Sequence, residues 1–267
     1  MKRLVLSFAL ATLTAYLLAV APGMAAPQRK PDAVIKTQAI DAGITVDPAL
    51  ETYPGLYPRL LAAGKREMQK WRAAADKDYR ESRKFFADER RDEFDLGYEQ
   101  RSAVQGYVSI LRTDFSYSVG AAHPNHGINT LLWDTHTRRF ISIRPFFEEI
   151  RTNGPTMRTL AAAIKKAVVA AKIKRGLPAS DANDPMWVGS IEPDITKIGG
   201  VALAPSTEPD KSAGLLVYFG PYAVGAYVEG DYIVFVPWTD FKTHLSRAGV
   251  VLFGGTRPPG DAERDEP

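Results

Sequence analysis

The sequence predicts an α+β fold of two similar-sized halves, with antiparallel sheets packed against long helices. Two observations carry that expectation. A helix-period apolar stripe in residues 54–88 precedes a run of strand-like segments, and a second stripe after Pro155 precedes a second run. The chain has 267 residues and no cysteine, so stability must come from a packed core rather than a disulfide framework.

In the first half, VIKTQAI from Val34 alternates as a first strand does. Leu56, Leu60, Met68, Trp71, Ala75, Tyr79 and Phe86 then recur at spacings near three and four, which puts them on one stripe of one helix or of two in sequence. Gly64 falls on that stripe, as a close-packing point or a break. Lys65, Arg66, Lys70 and Arg72, interleaved with Glu67 and Asp76, read as a solvated face. FDLGYEQ, GYVSILRTDFSYSV, GINTLLWDT and RFISI follow as strands of an antiparallel meander, and Asp134 is placed to bond the backbone of a WDTHTRRF hairpin.

The second half opens after RPFFEEI. Met157, Leu160, Ile164, Val168 and Ala171 define a helix face, and Lys165, Lys166, Lys172, Lys174 and Arg175 occupy the remainder as an exposed basic surface. VALAP, GLLVYFG and DYIVFVPW are three more strands. WTDFKTHLS offers a short closing helix with Thr239 as its N-cap. The expected organisation is a signal peptide over 1–25, an N-terminal half over 26–150, a C-terminal half over 151–253 and a disordered tail over 254–267.

Lys2 and Arg3 precede an uncharged run, LVLSFALATLTAYLLAVA, closed by small residues around Gly23 and Ala25, the pattern of a secretory signal. At 18 residues the run is just long enough to be retained as an anchor instead, and no later segment is apolar enough to span a bilayer. The expected location is therefore periplasmic or secreted. Of the 34 basic residues, Lys2 and Arg3 leave with this segment and no acid does, so the remainder exceeds the 31 acids by a single charge. That balance argues against nucleic acid as a partner.

Candidate chemistry centres on YSVGAAHPNHG, which holds His123 and His126, two of the four histidines. Two imidazoles three apart could share a zinc, but a catalytic site needs a third protein ligand and an open position, and no recognised spacing supplies it. The competing reading is a turn built by Pro124, Asn125 and Gly127, with His123 ordering it. No cysteine or G-x-S-x-G elbow is present, and no glycine spacing fits a phosphate loop. Glu148 with Glu149, and Asp92 with Glu93, are acid pairs of the kind that could serve acid–base work. The sequence implies no cofactor.

Two longer stretches carry a resemblance. YSVGAAHPNHGINTLLWDTHTRRFISIRPFF and GLLVYFGPYAVGAYVEGDYIVFVPWTDF look like the paired domains of unknown function in the extracellular part of lysozyme-sensing anti-sigma factors, also found ahead of the catalytic domain of some peptidoglycan deacetylases. Tyr117, Gly120, Ala122, His123 and Pro124 fit the family's first turn, with Val119 and Ala121 where glycine is more familiar. Pro221, Tyr222, Tyr227 and Gly230 fit the second. The resemblance spans roughly Val34 to Leu245 and implies a two-half module outside the cytoplasmic membrane. The deacetylase metal motifs are missing. It therefore implies a non-catalytic module that binds a cell-envelope partner, peptidoglycan or a lysozyme-like protein, through Tyr117, Gly120, His123, Pro124, Pro221, Tyr222, Tyr227 and Gly230. The alternative is a metal-dependent envelope hydrolase or deacetylase using His123 and His126.

Overall fold

The structure is a computed structural model that describes residues 29–262. The expected signal peptide and residues 263–267 lie outside the described residues. From Pro31 onward these residues group as one compact unit with an α+β fold.

Strands β1 (Ala33–Lys36) and β2 (Ile40–Val46) form a hairpin, and helix α1 (Leu56–Glu81) follows. Strands β3 (Asp92–Val104), β4 (Tyr107–Tyr117), β5 (Asn125–Asp134) and β6 (Arg139–Ile141) make the expected antiparallel meander, completing a six-stranded sheet in chain order. One pairing differs from an all-antiparallel expectation. β2 and β3 run parallel, Ile40 opposite Asp92 through Val46 opposite Tyr98, because α1 carries the chain back across the sheet as a crossover.

Leu56, Leu60, Met68 and Ala75 of α1 pack on Ile44, Phe94, Leu96, Tyr98, Ile110 and Trp133, so the periodic residues of the helix and alternate residues of the strands share one core. Gly64 is a close-packing point rather than a break. A Cβ there would meet Ile44 Cδ1 at 3.0 Å and Leu96 Cδ2 at 3.1 Å.

Helix α2 (Pro155–Lys174) leads through two single turns, α3 (Ala179–Ala182) and α4 (Pro185–Val188), to a second antiparallel sheet of β7 (Gly200–Leu203), β8 (Gly214–Phe219) and β9 (Tyr232–Pro237). Leu215, Val217, Tyr232 and Val234 share a core with Leu160, Ile164 and Val168 of α2. Leu216 and Tyr218 face the other way, onto Leu111 and Ile128 of the large sheet. The layers therefore run α1, six-stranded sheet, three-stranded sheet, α2.

β7 is an edge strand whose outer backbone groups are satisfied by side chains of the large sheet. Thr130 Oγ1 donates to Val201 O at 2.8 Å, Ser102 Oγ to Leu203 O at 2.6 Å, and Leu203 N donates to Ser109 Oγ at 2.9 Å. This closes an edge that would otherwise template pairing with another chain.

Three further expectations differ from the structure. Lys172, expected on the exposed basic surface, is fully buried, because it continues the i, i+4 stripe from Ile164 and Val168. Thr239 does not cap a closing helix. It lies inside a 3-10 turn, Trp238–Asp240, and the helix comes later as α5 (Arg247–Leu252), with Gly249 N donating to its N-cap Ser246 Oγ at 3.2 Å. The described part of the segment after Gly254, expected to be disordered, holds a docked turn, α6 (Pro259–Ala262). Arg101, at an irregularity in β3 between Gln100 and Ser102, donates to Asp261 from Nη1 at 2.6 Å and holds it in place.

Candidate functional site

The loop after β4 is fixed from two sides. Val119 N donates to Asp92 Oδ1 at 2.8 Å, and Ala121 N donates to Ser118 O at 2.9 Å. Burial pushes the Asp92 carboxyl up, and the Val119 N–H pulls it back. Gly120 stands at φ 92°, a left-handed conformation that suits glycine. Tyr117 ends β4 opposite Glu93. His123 Nδ1 lies 2.8 Å from Pro124 O, and His126 is already inside β5 with its ring 5.2 Å from Phe115.

The connection from β8 to β9 is fixed just as firmly. Lys172 Nζ and Tyr232 OH each donate to Glu229 Oε2 at 2.7 Å, and Ala226 N donates to Glu229 Oε1 at 2.8 Å. Arg175 stacks 4.1 Å above the Tyr232 ring and donates to Glu229 O at 2.7 Å and Asp231 O at 2.6 Å. Burial alone would raise the Glu229 carboxyl, but the hydrogen bonds from Lys172 and Tyr232 hold it below its ordinary value. The Tyr232 phenol is pushed up to about 12, by burial first and by Glu229 second. Gly230 adopts φ 68°, ψ −156°, a region essentially restricted to glycine.

These two connections meet. Tyr227 OH donates to Pro124 O at 3.0 Å across 103 positions of sequence. The His123 ring centre lies 4.5 Å from that of Tyr227 at 34°, His126 lies 6.4 Å away at 31°, and Tyr222 lies 5.5 Å away at 37°. Tyr222 is 55 % exposed and sits beside Pro221 at φ 66°, a conformation that costs a non-glycine residue energy and recurs where function keeps it.

Of the residues singled out in sequence, His123, Pro124, Tyr222 and Tyr227 come together with His126 as one partly exposed patch of tilted rings. Tyr117, Gly120, Pro221 and Gly230 shape its two supporting turns. Such a patch offers flat faces and hydroxyl and imidazole groups for a polar ring or a peptide surface. Among the described residues, no group of three His, Cys, Asp or Glu side chains is placed to hold a metal ion.

One acid of each candidate pair has a structural role. Glu149 accepts from Arg151 N and Thr156 N, both at 2.9 Å, and these backbone bonds lower its carboxyl to about 2 at the start of α2. Asp92 holds the loop, as described. Sequence reasoning missed Asp92, Lys172, Arg175 and Glu229 as supports of the patch. Only Lys172 carried a local signal, its place on the helix stripe; the others act through contacts remote in sequence.

Near the patch, burial pushes the Asp231 carboxyl up while His126 and Arg175 draw it back.

No family model matches this sequence, and no curated protein matches it. Two solved structures do resemble it. A member of the DUF3298 family from Bacteroides fragilis superposes with a TM-score of 0.51 at 14% identity, over 75% of this chain and 74% of that one. A DUF3298 family protein from Pseudomonas aeruginosa PAO1 superposes with a TM-score of 0.52 at 16% identity, over 84% of this chain and 92% of that one. At these identities the likeness is one of fold, and the chain shares the fold of these DUF3298 family proteins, a domain of unknown function.

Proposed function

We propose that the protein is a non-catalytic exported module, periplasmic or secreted, that binds a cell-envelope partner, peptidoglycan or a lysozyme-like protein, through the patch of His123, Tyr222 and Tyr227. The observation that carries this reading is the bond from Tyr227 OH to Pro124 O. It joins the two turns that resemble the anti-sigma-factor and deacetylase domains into one surface. The surface is rigid where it is supported and exposed where a partner would touch it, the arrangement that loses least entropy on binding.

The test is retention on purified sacculi together with titration against lysozyme, for the wild type and for His123→Ala and Tyr222→Asn. Asparagine tolerates the left-handed backbone at position 222 and removes only the ring. Binding to either partner that falls about tenfold or more in the variants supports the reading, the size expected when a stacking contact is lost. Absence of binding to both at micromolar concentration refutes it.

A further inference from the structure

A second region has the build of a binding site and is separate in composition from the ring patch. A cleft of about 560 Å³ opens between α1 and the face of the large sheet that α1 covers. This volume falls in the range of small-molecule sites. Its floor is apolar and aromatic: Tyr98, Leu131 and Phe140, the last 41 % exposed. Its walls carry Arg59, Arg66 and Arg112.

The charges are not balanced within the cleft. Arg112 is satisfied, donating from Nη2 to Glu67 Oε1 at 2.7 Å and from Nη1 to Asp114 Oδ1 at 2.6 Å, and these bonds occupy the nearby acids. Arg59 and Arg66 are exposed on α1 and make no ion pair with a carboxylate among the described residues. They are seven residues apart, two turns on one face, which separates their Cα atoms by roughly 10 Å along the axis. Arg59 is not loose. Its guanidinium lies 5.7 Å above the buried Trp133 ring, which also packs edge-on against Phe140 at 5.0 Å. The cleft thus presents two uncompensated guanidiniums above a flat apolar floor. Guanidinium is the group that pairs with carboxylate in a planar, two-pronged geometry, and an exposed aromatic floor suits the apolar face of a sugar ring.

We propose that this cleft binds a saccharide bearing a carboxylate, with Arg59 and Arg66 on the anionic group and Phe140 and Leu131 under the ring. The choice of a saccharide over other organic anions rests on the envelope reading above; the demand for a carboxylate rests on the two arginines alone.

The experiment is calorimetric titration of the purified protein with N-acetylmuramic acid and with N-acetylglucosamine, which has the same ring without the carboxylate. The acid is expected to bind, and the neutral sugar to bind about tenfold or more weakly, the discrimination a charge-assisted pair supplies. Arg66→Ala is expected to weaken the acid about tenfold and Arg66→Lys less, since an ammonium keeps the charge and loses the fork. Arg66 is exposed and unpaired, so an unchanged Tm in these variants separates lost binding from lost folding. Arg59→Lys repeats the test at the second arginine.

Equal binding of the two sugars, absence of acid binding at 10 mM, or acid binding indifferent to Arg66→Ala overturns the proposal. Sacculus retention that depends on Tyr222 but comes without N-acetylmuramic acid binding defeats the cleft and leaves the envelope reading standing. Arg66-dependent acid binding without sacculus or lysozyme binding defeats the envelope reading and leaves the anion site.

Discussion

Asp261 is the acid of a buried cluster that fastens the C-terminal segment to the large sheet. It accepts from Arg101 Nη1 at 2.6 Å and Nη2 at 3.1 Å, and from Arg257 Nε at 2.7 Å. The Arg101 side chain is 4% exposed and that of Asp261 8%. Asp261→Ala removes the carboxylate these bonds share, and the Arg101 guanidinium, which also donates to the Tyr218 hydroxyl, stays buried with its acid gone from that side. Breaking a buried pair by deleting one partner costs roughly 3–5 kcal/mol, nearly all of it the desolvation of the charge left behind. Because α6 is a single turn that can swing aside and admit water, the lower end applies, about 3 kcal/mol. For a domain of this size that corresponds to a fall in Tm of about 6–12 °C.

Urea unfolding followed by fluorescence gives the direct measurement: the midpoint should drop with the slope unchanged. The double variant Arg101→Met, Asp261→Ala should recover at least half of the loss, since it takes out the buried guanidinium together with this acid. A single-variant loss below about 1 kcal/mol would place the pair in the range of exposed salt bridges and refute the argument from burial. The pH dependence has a fixed sign. Burial would raise the Asp261 carboxyl, but Arg101 and Arg257 hold it below the ordinary value of 3.8. Its contribution is therefore complete above that ordinary value and is lost as pH falls through the lower folded one, so wild type and variant should converge in strong acid.

Glu229→Ala should strand Lys172, which is buried, and is expected to cost about 3 kcal/mol in the same unfolding assay, with Lys172→Met restoring part of it. An unchanged midpoint would show that the connection between β8 and β9 is not held by this pair. Gly230→Ala meets no atom within 4 Å, so its cost is backbone strain alone, roughly 1–3 kcal/mol, and limited proteolysis should find new cleavage near Tyr227–Glu229. Resistance equal to the wild type would contradict that assignment. Zinc added to the purified protein should show no one-to-one site lost in His123→Ala; a stoichiometric zinc that disappears with that substitution would revive the metal-dependent alternative.

The sequence by itself determined the α+β class and most of the elements, because the repeats that specify them are local. Period 3.6 in α1 and α2, period 2 in β3, the continuous apolar runs of β8 and β9, and the Asp134 turn are all set by residues within a few positions of one another. It also marked the two turns that form the ring patch, through Gly120, Pro124, Pro221 and Gly230, whose backbone demands are local too. What only the tertiary structure decided is which of these pieces meet. The parallel pairing of β2 and β3 depends on a crossover, the partner of the buried Lys172 is a glutamate 57 residues away, and the docking of α6 rests on an arginine 160 residues away. The last two are polar groups whose partners are set by packing rather than by neighbours in the chain, and such partners cannot be read from spacing. The same holds for the cleft: Arg59 and Arg66 belong to an ordinary charged helix face until Trp133, Phe140 and Leu131 are placed beneath them and Arg112 takes up the acids nearby.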